Sequence, residues 1–220
     1  MMFESLEGRR LLSGVVATQV GDTVVYQLPD GGAGIHVFEN SNTVFAQDVH
    51  AVQVGPIFTG VNHVVINGGS GDDIIHYTGD NKADVSISGA GGNDTIVVDT
   101  LTDTAPTSFI DGGDGNDFII VLGGNNSVVY GGNGDDTLAS AGGMDMLIDG
   151  GNGKDTIIAF SNDSIVTGGN GTDFVAVIGS DDSTLGSNGN DVVITTQTDQ
   201  VIALQEQVAG VLDGLPGGLF

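Results

Sequence analysis

Short aliphatic segments alternate with Gly-rich turns through the second half of the chain. One aliphatic position lies two residues before each turn, and another lies two residues after the aspartate that ends the turn. The first column consists of Ile66, Ile87, Ile110, Val129, Ile148 and Val166, and lapses only at Thr184. The second column consists of Ile75, Ile96, Ile119, Leu138, Ile157, Val175 and Val193. The pattern predicts two short β-strands per repeat, each sending an aliphatic side chain inward.

The turns repeat a single motif at a nearly fixed spacing. Copies begin at Gly68, Gly89, Gly112, Gly131, Gly150, Gly168 and Gly186, and the interval settles at 18 or 19 residues. The sixth position is aspartate in every copy, and we call these residues the aspartate column: Asp73, Asp94, Asp117, Asp136, Asp155, Asp173 and Asp191. One such coil buries almost nothing, so coils must stack, with strands about 4.8 Å apart. Self-similarity at this period therefore predicts an all-β parallel β-helix solenoid.

Glycine fills most of the remaining positions of the motif. It provides backbone geometry that other residues resist, and it lets carbonyl oxygens turn toward one point. The third position is often Asn or Asp, which we attribute to the tolerance of these residues for left-handed backbone geometry. They are Asp114, Asn133, Asn152, Asn170 and Asn188.

The net charge of the chain is −25, because 29 acidic residues face only 4 Lys and Arg. All but four of the acids are Asp, which favours turns and metal ligation over helix. Such a surface repels nucleic acid and anionic membranes, so its natural counterions are cations. A hydrophobic content of 39% argues against disorder. No apolar run reaches the roughly 18 residues of a transmembrane helix. Cysteine is absent, which excludes a disulfide framework.

The motif G-G-x-G-x-D-x-U-x, where U is aliphatic, resembles the hemolysin-type (RTX) calcium repeat over about Gly68 to Ile194. The resemblance implies a right-handed parallel β-roll with Ca²⁺ held between stacked turns by aspartate side chains and loop carbonyls. The implied carboxylate ligands are the seven residues of the aspartate column. The implied loop positions are Gly68, Ser70, Gly112, Asp114, Gly131, Asn133, Gly150, Asn152, Gly168 and Asn170.

The sequence departs from the family pattern in a regular way. Every second nonapeptide, such as "GGNNSVVYG" or "FSNDSIVTG", keeps its strand but lacks the G-x-D spacing. We therefore expect calcium along one edge of the solenoid only, with at most one ion in each gap between adjacent turns. Ala90 and Ser187 replace the second Gly at the two ends, and Lys154 adds a positive charge, so weaker sites are expected there.

Stacked turns bring unit negative charges about 5 Å apart, and each adjacent pair repels by roughly 1 kcal/mol even in water. A divalent cation with oxygen ligands would cancel this repulsion, and calcium accepts six to eight oxygens in loose geometry. The hypothesis that follows is calcium-dependent folding after export. The alternative is a metal-free solenoid whose aspartates only cap the turns.

The two ends of the chain differ from the repeats. Residues 1–15 resemble the LEPR-x-LL segment of exported and cell-surface bacterial proteins at Leu6, Glu7, Arg9, Leu11 and Leu12, which implies export or surface sorting. Residues 16–60 are predicted to form metal-free strands that close the N-terminal end of a roll over 61–196, or a separate small β unit. Within 197–220, the stripe of Val201, Leu204, Val208 and Val211 predicts a short helix that plugs the C-terminal end or serves as an export signal.

No H-E-x-x-H zinc motif, G-x-S-x-G nucleophile elbow or phosphate loop occurs in the sequence, so no enzyme activity is predicted. Three interpretations remain. The first is a secreted or cell-surface calcium-binding protein with a structural or adhesive role, whose partners would be surface polysaccharide or another surface protein. The second is a polysaccharide-acting β-helix epimerase or lyase. The third is an accessory module whose calcium-driven folding aids secretion.

Overall fold

The structure is a computed structural model that describes residues 14–80, 82–100, 107–179, 182–185 and 191–196. Its regular elements are all β-strands, and no helix, hence none able to span a membrane, occurs among these residues. The N-terminal part contains β1 (Val16–Val20), β2 (Thr23–Gln27), β3 (Gly34–Asn40), β4 (Thr43–Asp48) and β5 (Gln53–Thr59). The repeats contain β6 (His63–Asn67), β7 (Ile74–Gly79), β8 (Asp84–Gly91), β9 (Thr95–Thr100), β10 (Ser108–Asp114), β11 (Phe118–Leu122), β12 (Val128–Asn133), β13 (Thr137–Met144), β14 (Leu147–Gly153), β15 (Thr156–Asn162), β16 (Ile165–Thr167), β17 (Asn170–Gly171), β18 (Phe174–Ile178), β19 (Ser183–Leu185) and β20 (Val192–Thr196).

Successive repeat strands alternate between two sheets, so each strand pairs in parallel with the strand one coil away. Sheet A has the order β1-β2-β6-β8-β10-β12-β14-β16-β19, with β17 beside β14. Sheet B has the order β5-β4-β3-β7-β9-β11-β13-β15-β18-β20. The predicted all-β parallel solenoid is confirmed. The LEPR-x-LL-like motif, which lies within residues 1–13, and the predicted C-terminal helix lie outside the described residues.

The two aliphatic columns of the sequence form the core between the sheets. Ile110 aligns with Ile87 and Val129 in sheet A, and Ile119 aligns with Ile96 and Leu138 in sheet B. Both columns are almost completely buried, and burying each such side chain stabilises the fold by about 1.5–3 kcal/mol. The exception is Val193, which is 39% exposed in the last described strand of sheet B.

The N-terminal strands extend both sheets and then change direction. β2 pairs in parallel with β6, and β3 pairs in parallel with β7. β1 then adds to β2, β4 adds to β3 and β5 adds to β4, all in antiparallel fashion. Tyr26 packs edge-to-face on Phe58 with ring centroids 6.3 Å apart, so these strands share one continuous core with the repeats.

The outer face of sheet B carries an unusual amount of exposed apolar surface. Its first and last outward positions align across the coils, because parallel register repeats each position. The large side chains exposed there are Ile74, Phe118, Leu122, Ile158, Phe160, Phe174, Ile178, Val192 and Ile194. Thr137 and Thr156 lie between Phe118 and Phe174 in the first outward row, so apolar and polar side chains are interspersed there. Exposed apolar surface is often an interaction site.

Two neighbouring isoleucines of β15 test the core assignment. Ile157 is fully buried and Ile158 is 36% exposed on the opposite face of the strand. Ile157→Ala should lower the free energy of unfolding by about 2–5 kcal/mol, because it leaves a cavity in the ladder. Ile158→Ala should cost less than about 1 kcal/mol. Urea unfolding of both variants at one fixed calcium concentration measures the difference, and equal losses would contradict the assignment.

Candidate metal-binding edge

The aspartate column lies along the edge where the chain passes from sheet A into sheet B. Each member immediately precedes a strand of sheet B, so the parallel register sets the side chains in one row. The first six side chains, Asp73 to Asp173, are only 1–2% exposed. The structure therefore brings the predicted carboxylates together as a buried stack, and Asp191 continues it at a partly exposed position.

Hydrogen bonds link the column from one coil to the next. The backbone N–H of each aspartate donates to the Oδ1 atom of the aspartate in the following coil, at 2.7–2.9 Å from Asp73 to Asp191. At the N-terminal end, the Ala33 N–H donates to Asp73 Oδ1 at 2.6 Å. One oxygen of each buried carboxylate is therefore satisfied by a neighbouring coil.

The second carboxylate oxygen has no donor in the middle of the column. The Oδ2 atoms of Asp94, Asp117, Asp136 and Asp155 are buried and without a hydrogen-bond partner. In contrast, Asp73 Oδ2 accepts the Gly69 N–H at 2.7 Å. Four neighbouring coils thus each leave one charged acceptor unpaired in the interior, which is costly unless a proton or a cation compensates it.

A carbonyl oxygen of the next coil lies close to each unpaired oxygen. A Cβ atom added to Gly131 would lie 2.5 Å from Asp136 Oδ2 and 2.3 Å from the carbonyl oxygen of Gly150. The same arrangement holds at Gly89, Gly112 and Gly150. Two acceptors from adjacent coils therefore converge beside an α-carbon that carries no side chain. This explains why the first motif position must be Gly.

The second and fourth glycines of the motif shape the turn. Gly132 and Gly134 have φ angles of 115° and 130°, which side chains with a Cβ rarely adopt. The turn can therefore present several carbonyls along one edge, as the sequence analysis expected for a site of oxygen ligands.

Burial raises the pKa of four members in the middle of the column. The pKa of Asp136 rises to about 7, and those of Asp94 and Asp155 rise to about 6. The pKa of Asp117 rises for the same reason. Charges of neighbouring carboxylates add to the rise at Asp136, whereas the backbone N–H donor opposes it. Keeping these buried carboxylates ionised near neutral pH therefore costs free energy.

The third-position residues occupy a second row on the exposed surface. Asn133 Nδ2 donates to Asp114 Oδ1 at 2.7 Å, and the same side-chain bond links Asn152 to Asn133 and Asn170 to Asn152 at 2.8 Å. None of these four residues has a positive φ, so our explanation from left-handed geometry is wrong. An amide both donates and accepts, and this property lets Asn continue a ladder along the stack.

A third row was not predicted. The side-chain oxygens of Asp72, Asn93, Asn116 and Asp135 accept backbone N–H groups of the following coil at 2.7–2.8 Å. Lys154 donates the last of these bonds from its backbone. The sequence signal for this row was the recurrence of Asp and Asn at the fifth motif position, which the adjacent invariant aspartate obscured.

The first motif is bonded to the N-terminal strands. The Gly68 carbonyl accepts the side-chain amide of Gln27 at 3.1 Å, and Ser70 Oγ donates to the Asp30 carbonyl at 3.1 Å. The predicted loop positions Gly68 and Ser70 therefore make protein contacts. In contrast, the carbonyls of Gly112, Gly131, Gly150 and Gly168 face carboxylate oxygens.

Three histidines and one cavity lie away from this edge. His36 and His76 stack on the outer face of sheet B with ring centroids 3.9 Å apart, and burial lowers the pKa of His36 to about 4. His63 pairs with Asp84 at 3.2 Å on the surface. A cavity of about 380 Å³ at the opposite edge is lined by glycines, amides, Ser161 and apolar side chains including Met144.

In the part of the chain that the structure describes, no three His, Asp or Glu side chains cluster in a way that could hold a metal ion. The column offers its carboxylates one per coil, so backbone carbonyls or water would have to complete any coordination shell. The donor set consists of oxygens only, which fits a hard cation.

Comparisons with known proteins were made at the level of families, sequences and folds. No protein-family model, no curated protein and no solved structure matches this chain.

A pair of glycine substitutions tests the convergence of the two oxygens. Gly131→Ala should lower the free energy of unfolding by about 1–3 kcal/mol or more, because the new Cβ meets a carboxylate and a backbone carbonyl that cannot both move. The control is Gly31→Ala, where no atom lies within 4 Å of the new Cβ. Its cost should stay within about 0.5 kcal/mol in the same urea titration. Equal effects would show that the space beside Gly131 is unimportant.

The raised pKa values predict an unusual pH dependence for the metal-free protein. The pKa of Asp136, about 7 when folded, exceeds its ordinary value of 3.8, so between these values the folded state binds more protons than the unfolded state. The free energy of unfolding should therefore fall as pH rises from about 4 to about 7. Urea unfolding in metal-stripped buffers measures it. Asp136→Asn should flatten the curve, and a rise in stability over this window would contradict the assignment.

Proposed function

We propose that the protein binds Ca²⁺ between stacked coils along the aspartate column, and that this binding drives its folding as a secreted or cell-surface protein of a bacterium with a structural or adhesive role. The proposal rests on two hydrogen-bond acceptors that lie close together in each gap between adjacent coils. A buried carboxylate oxygen without a donor faces a carbonyl oxygen of the next coil. A cation between them would turn this repulsion into attraction.

Calcium suits these ligands better than other common ions. The edge offers carboxylate and carbonyl oxygens without nitrogen or sulfur, and Ca²⁺ accepts such oxygens in variable number and geometry. The residues proposed to hold the ions are Asp94, Asp117, Asp136 and Asp155 with the carbonyls of Gly112, Gly131, Gly150 and Gly168. When bound, Ca²⁺ would supply the positive charge that the buried carboxylates lack.

The N-terminal end of the aspartate column is less suited to bind an ion than its middle. Both oxygens of Asp73 already accept backbone N–H groups, from Ala33 and from Gly69. The first gap would therefore gain less from a cation than the gaps in the middle of the column. This agrees with the expectation, from Ala90 in place of Gly, that the first site is weak.

Protein cations do not replace the metal at this edge. Among the described residues, the one pair within ion-pair distance joins His63 and Asp84, which lie outside the column. Lys82 Nζ donates to Ser41 Oγ at the other edge. The column therefore depends on cations from solution, and extracellular modules typically bind calcium at about 10⁻⁴ to 10⁻³ M.

The proposed adhesive role rests on the outer face of sheet B. Its exposed apolar side chains, such as Phe118, Phe160 and Phe174, lie on a rigid sheet whose spacing the coils determine. We propose that calcium binding orders this face for contact with a surface protein, since apolar surface of this kind is a typical contact site.

Asp136→Asn is the sharpest test of the calcium proposal. The amide keeps an oxygen for the Asp117 N–H, and its NH₂ group can donate toward the Gly150 carbonyl. The variant should therefore be as stable as the parent, or more stable, in EGTA. In millimolar calcium it should bind at least one ion fewer by calorimetry and gain less thermal stability. The control is Asp163→Asn, on an exposed turn at the other edge, which should behave as the parent does.

Two results would refute the proposal. One is a parent protein that is equally folded and equally heat-resistant after exhaustive removal of calcium. The other is an Asp136→Asn variant that loses stability in EGTA but keeps its calcium stoichiometry. In that case the carboxylates would serve only as caps of the turns.

A further inference from the structure

A pair of carboxylates that does not belong to the aspartate column lies at the opposite edge of the solenoid. Glu39 is near the C-terminal end of β3, and Asp80 directly follows β7, the neighbouring strand in sheet B. Glu39 pairs in register with Gly79, so the parallel alignment brings the two acids together. Neither residue belongs to the repeated motif, and this pair plays no part in the function proposed above.

One oxygen of each carboxylate is bound by the turn between β3 and β4. Glu39 Oε1 accepts the Asn42 N–H at 3.3 Å. Asp80 Oδ2 accepts the Ser41 N–H at 2.9 Å and the Ser41 hydroxyl at 3.2 Å. Ser41 and Asn42 have φ angles of 50° and 64°, the left-handed values that favour a two-residue turn between antiparallel strands.

The remaining oxygens are buried and unpaired. Glu39 is only 4% exposed, and its Oε2 atom has no hydrogen-bond partner. The same is true of Asp80 Oδ1. Asp80 itself is partly exposed, which leaves a path from solvent to the pair. The Lys82 ammonium donates to Ser41 Oγ at 3.2 Å, and its charge is one cause that lowers the pKa of Asp80. Two carboxylates that meet in this way still repel each other unless a cation or a proton lies between them.

A third unpaired group points to the same place. The Tyr77 side chain is fully buried, and its hydroxyl has no hydrogen-bond partner. The pKa of Tyr77 is raised, first by burial and then by the charges of Glu39 and Asp80. A Cβ atom on Gly79 would lie 2.5 Å from the Tyr77 hydroxyl, so glycine at this position makes room for the phenol.

We propose that Glu39, Asp80 and the Tyr77 hydroxyl form a binding site for one hard divalent cation of the calcium type at the edge opposite the aspartate column. The site offers two carboxylates and a phenol, all oxygen donors, and water would complete the shell. Bound there, the ion would hold the turn between β3 and β4 against the end of β7. It would therefore fasten the antiparallel N-terminal strands to the first coil.

The alternative is a proton shared between the two acids. The pKa of Glu39 is raised, first by burial and then by the adjacent Asp80 carboxylate. Burial would also raise the pKa of Asp80, but the adjacent Glu39 and the hydrogen bonds from Ser41 lower it overall. A cation and a shared proton compete for one position, so an experiment near neutral pH can tell them apart.

Tyrosine-sensitised luminescence of Tb³⁺ gives a direct readout, because the chain contains no Trp and only three Tyr. Tb³⁺ is used alone as the probe on the full-length protein. Tyr130 lies beside Gly131 and could sensitise ions at the aspartate column, so the titration uses the Tyr130→Phe background. A saturable signal should remain there and should be lost when Tyr77→Phe is added. Calcium should reverse it by competition.

Two acidic variants complete the test in the same background. Glu39→Gln and Asp80→Asn should each weaken the Tb³⁺ signal by about tenfold or more, since each removes one of two charged ligands. Asp84→Asn removes an exposed acid of sheet A and should leave the titration unchanged. Asp136→Asn should also leave it unchanged, which separates this site from the aspartate column. Circular dichroism of each variant verifies that it is folded.

The proposal is overturned if Tyr130→Phe alone abolishes the signal. It is also overturned if folded Glu39→Gln and Asp80→Asn variants both bind Tb³⁺ as tightly as the background protein does. Either result would mean that the pair holds a proton and no metal.

Discussion

Stacking identical coils repeats every local interaction at the spacing of hydrogen-bonded strands, and this constraint governs the whole molecule. For an aliphatic side chain the repetition is favourable, because each Ile or Val of one coil packs on its counterpart in the next. For a buried carboxylate it is unfavourable, because like charges accumulate along one row. In the structure each Oδ1 accepts a backbone N–H, which offsets part of this cost. The Oδ2 atoms of four coils receive no hydrogen bond from the protein.

Most of the fold could be predicted from sequence because the repeat imposes the same environment on each position. The aliphatic columns of Ile110 and Ile119 were recognised from their recurrence alone, and the structure confirms their burial. The row of carboxylates followed from the same argument. What recurrence cannot reveal is the atom to which a side chain bonds. The third-position residues, such as Asn133, were assigned to backbone geometry, yet they bond to one another through their side chains.

The N-terminal strands and the Glu39–Asp80 pair show where the sequence is less informative. No repeat aligns Glu39 with Asp80, since the two acids meet only through the register of β3 on β7. Likewise, the periodicity of the sequence does not predict that β1, β4 and β5 join the sheets in antiparallel fashion through short turns. Features that arise once in a repeat protein require coordinates, whereas features that recur can be inferred from spacing.

The hydrogen-bond ladder along the aspartate column has a direction, and this makes the two ends of the stack chemically different. Every coil donates an N–H toward the C-terminal side and accepts one from the N-terminal side. At the N-terminal end a residue outside the repeat, Ala33, supplies the donor that a preceding coil would otherwise provide. Whole coils could consequently be inserted or deleted in the middle without altering either terminus of the ladder, so the length of this solenoid is free to vary while its ends stay the same.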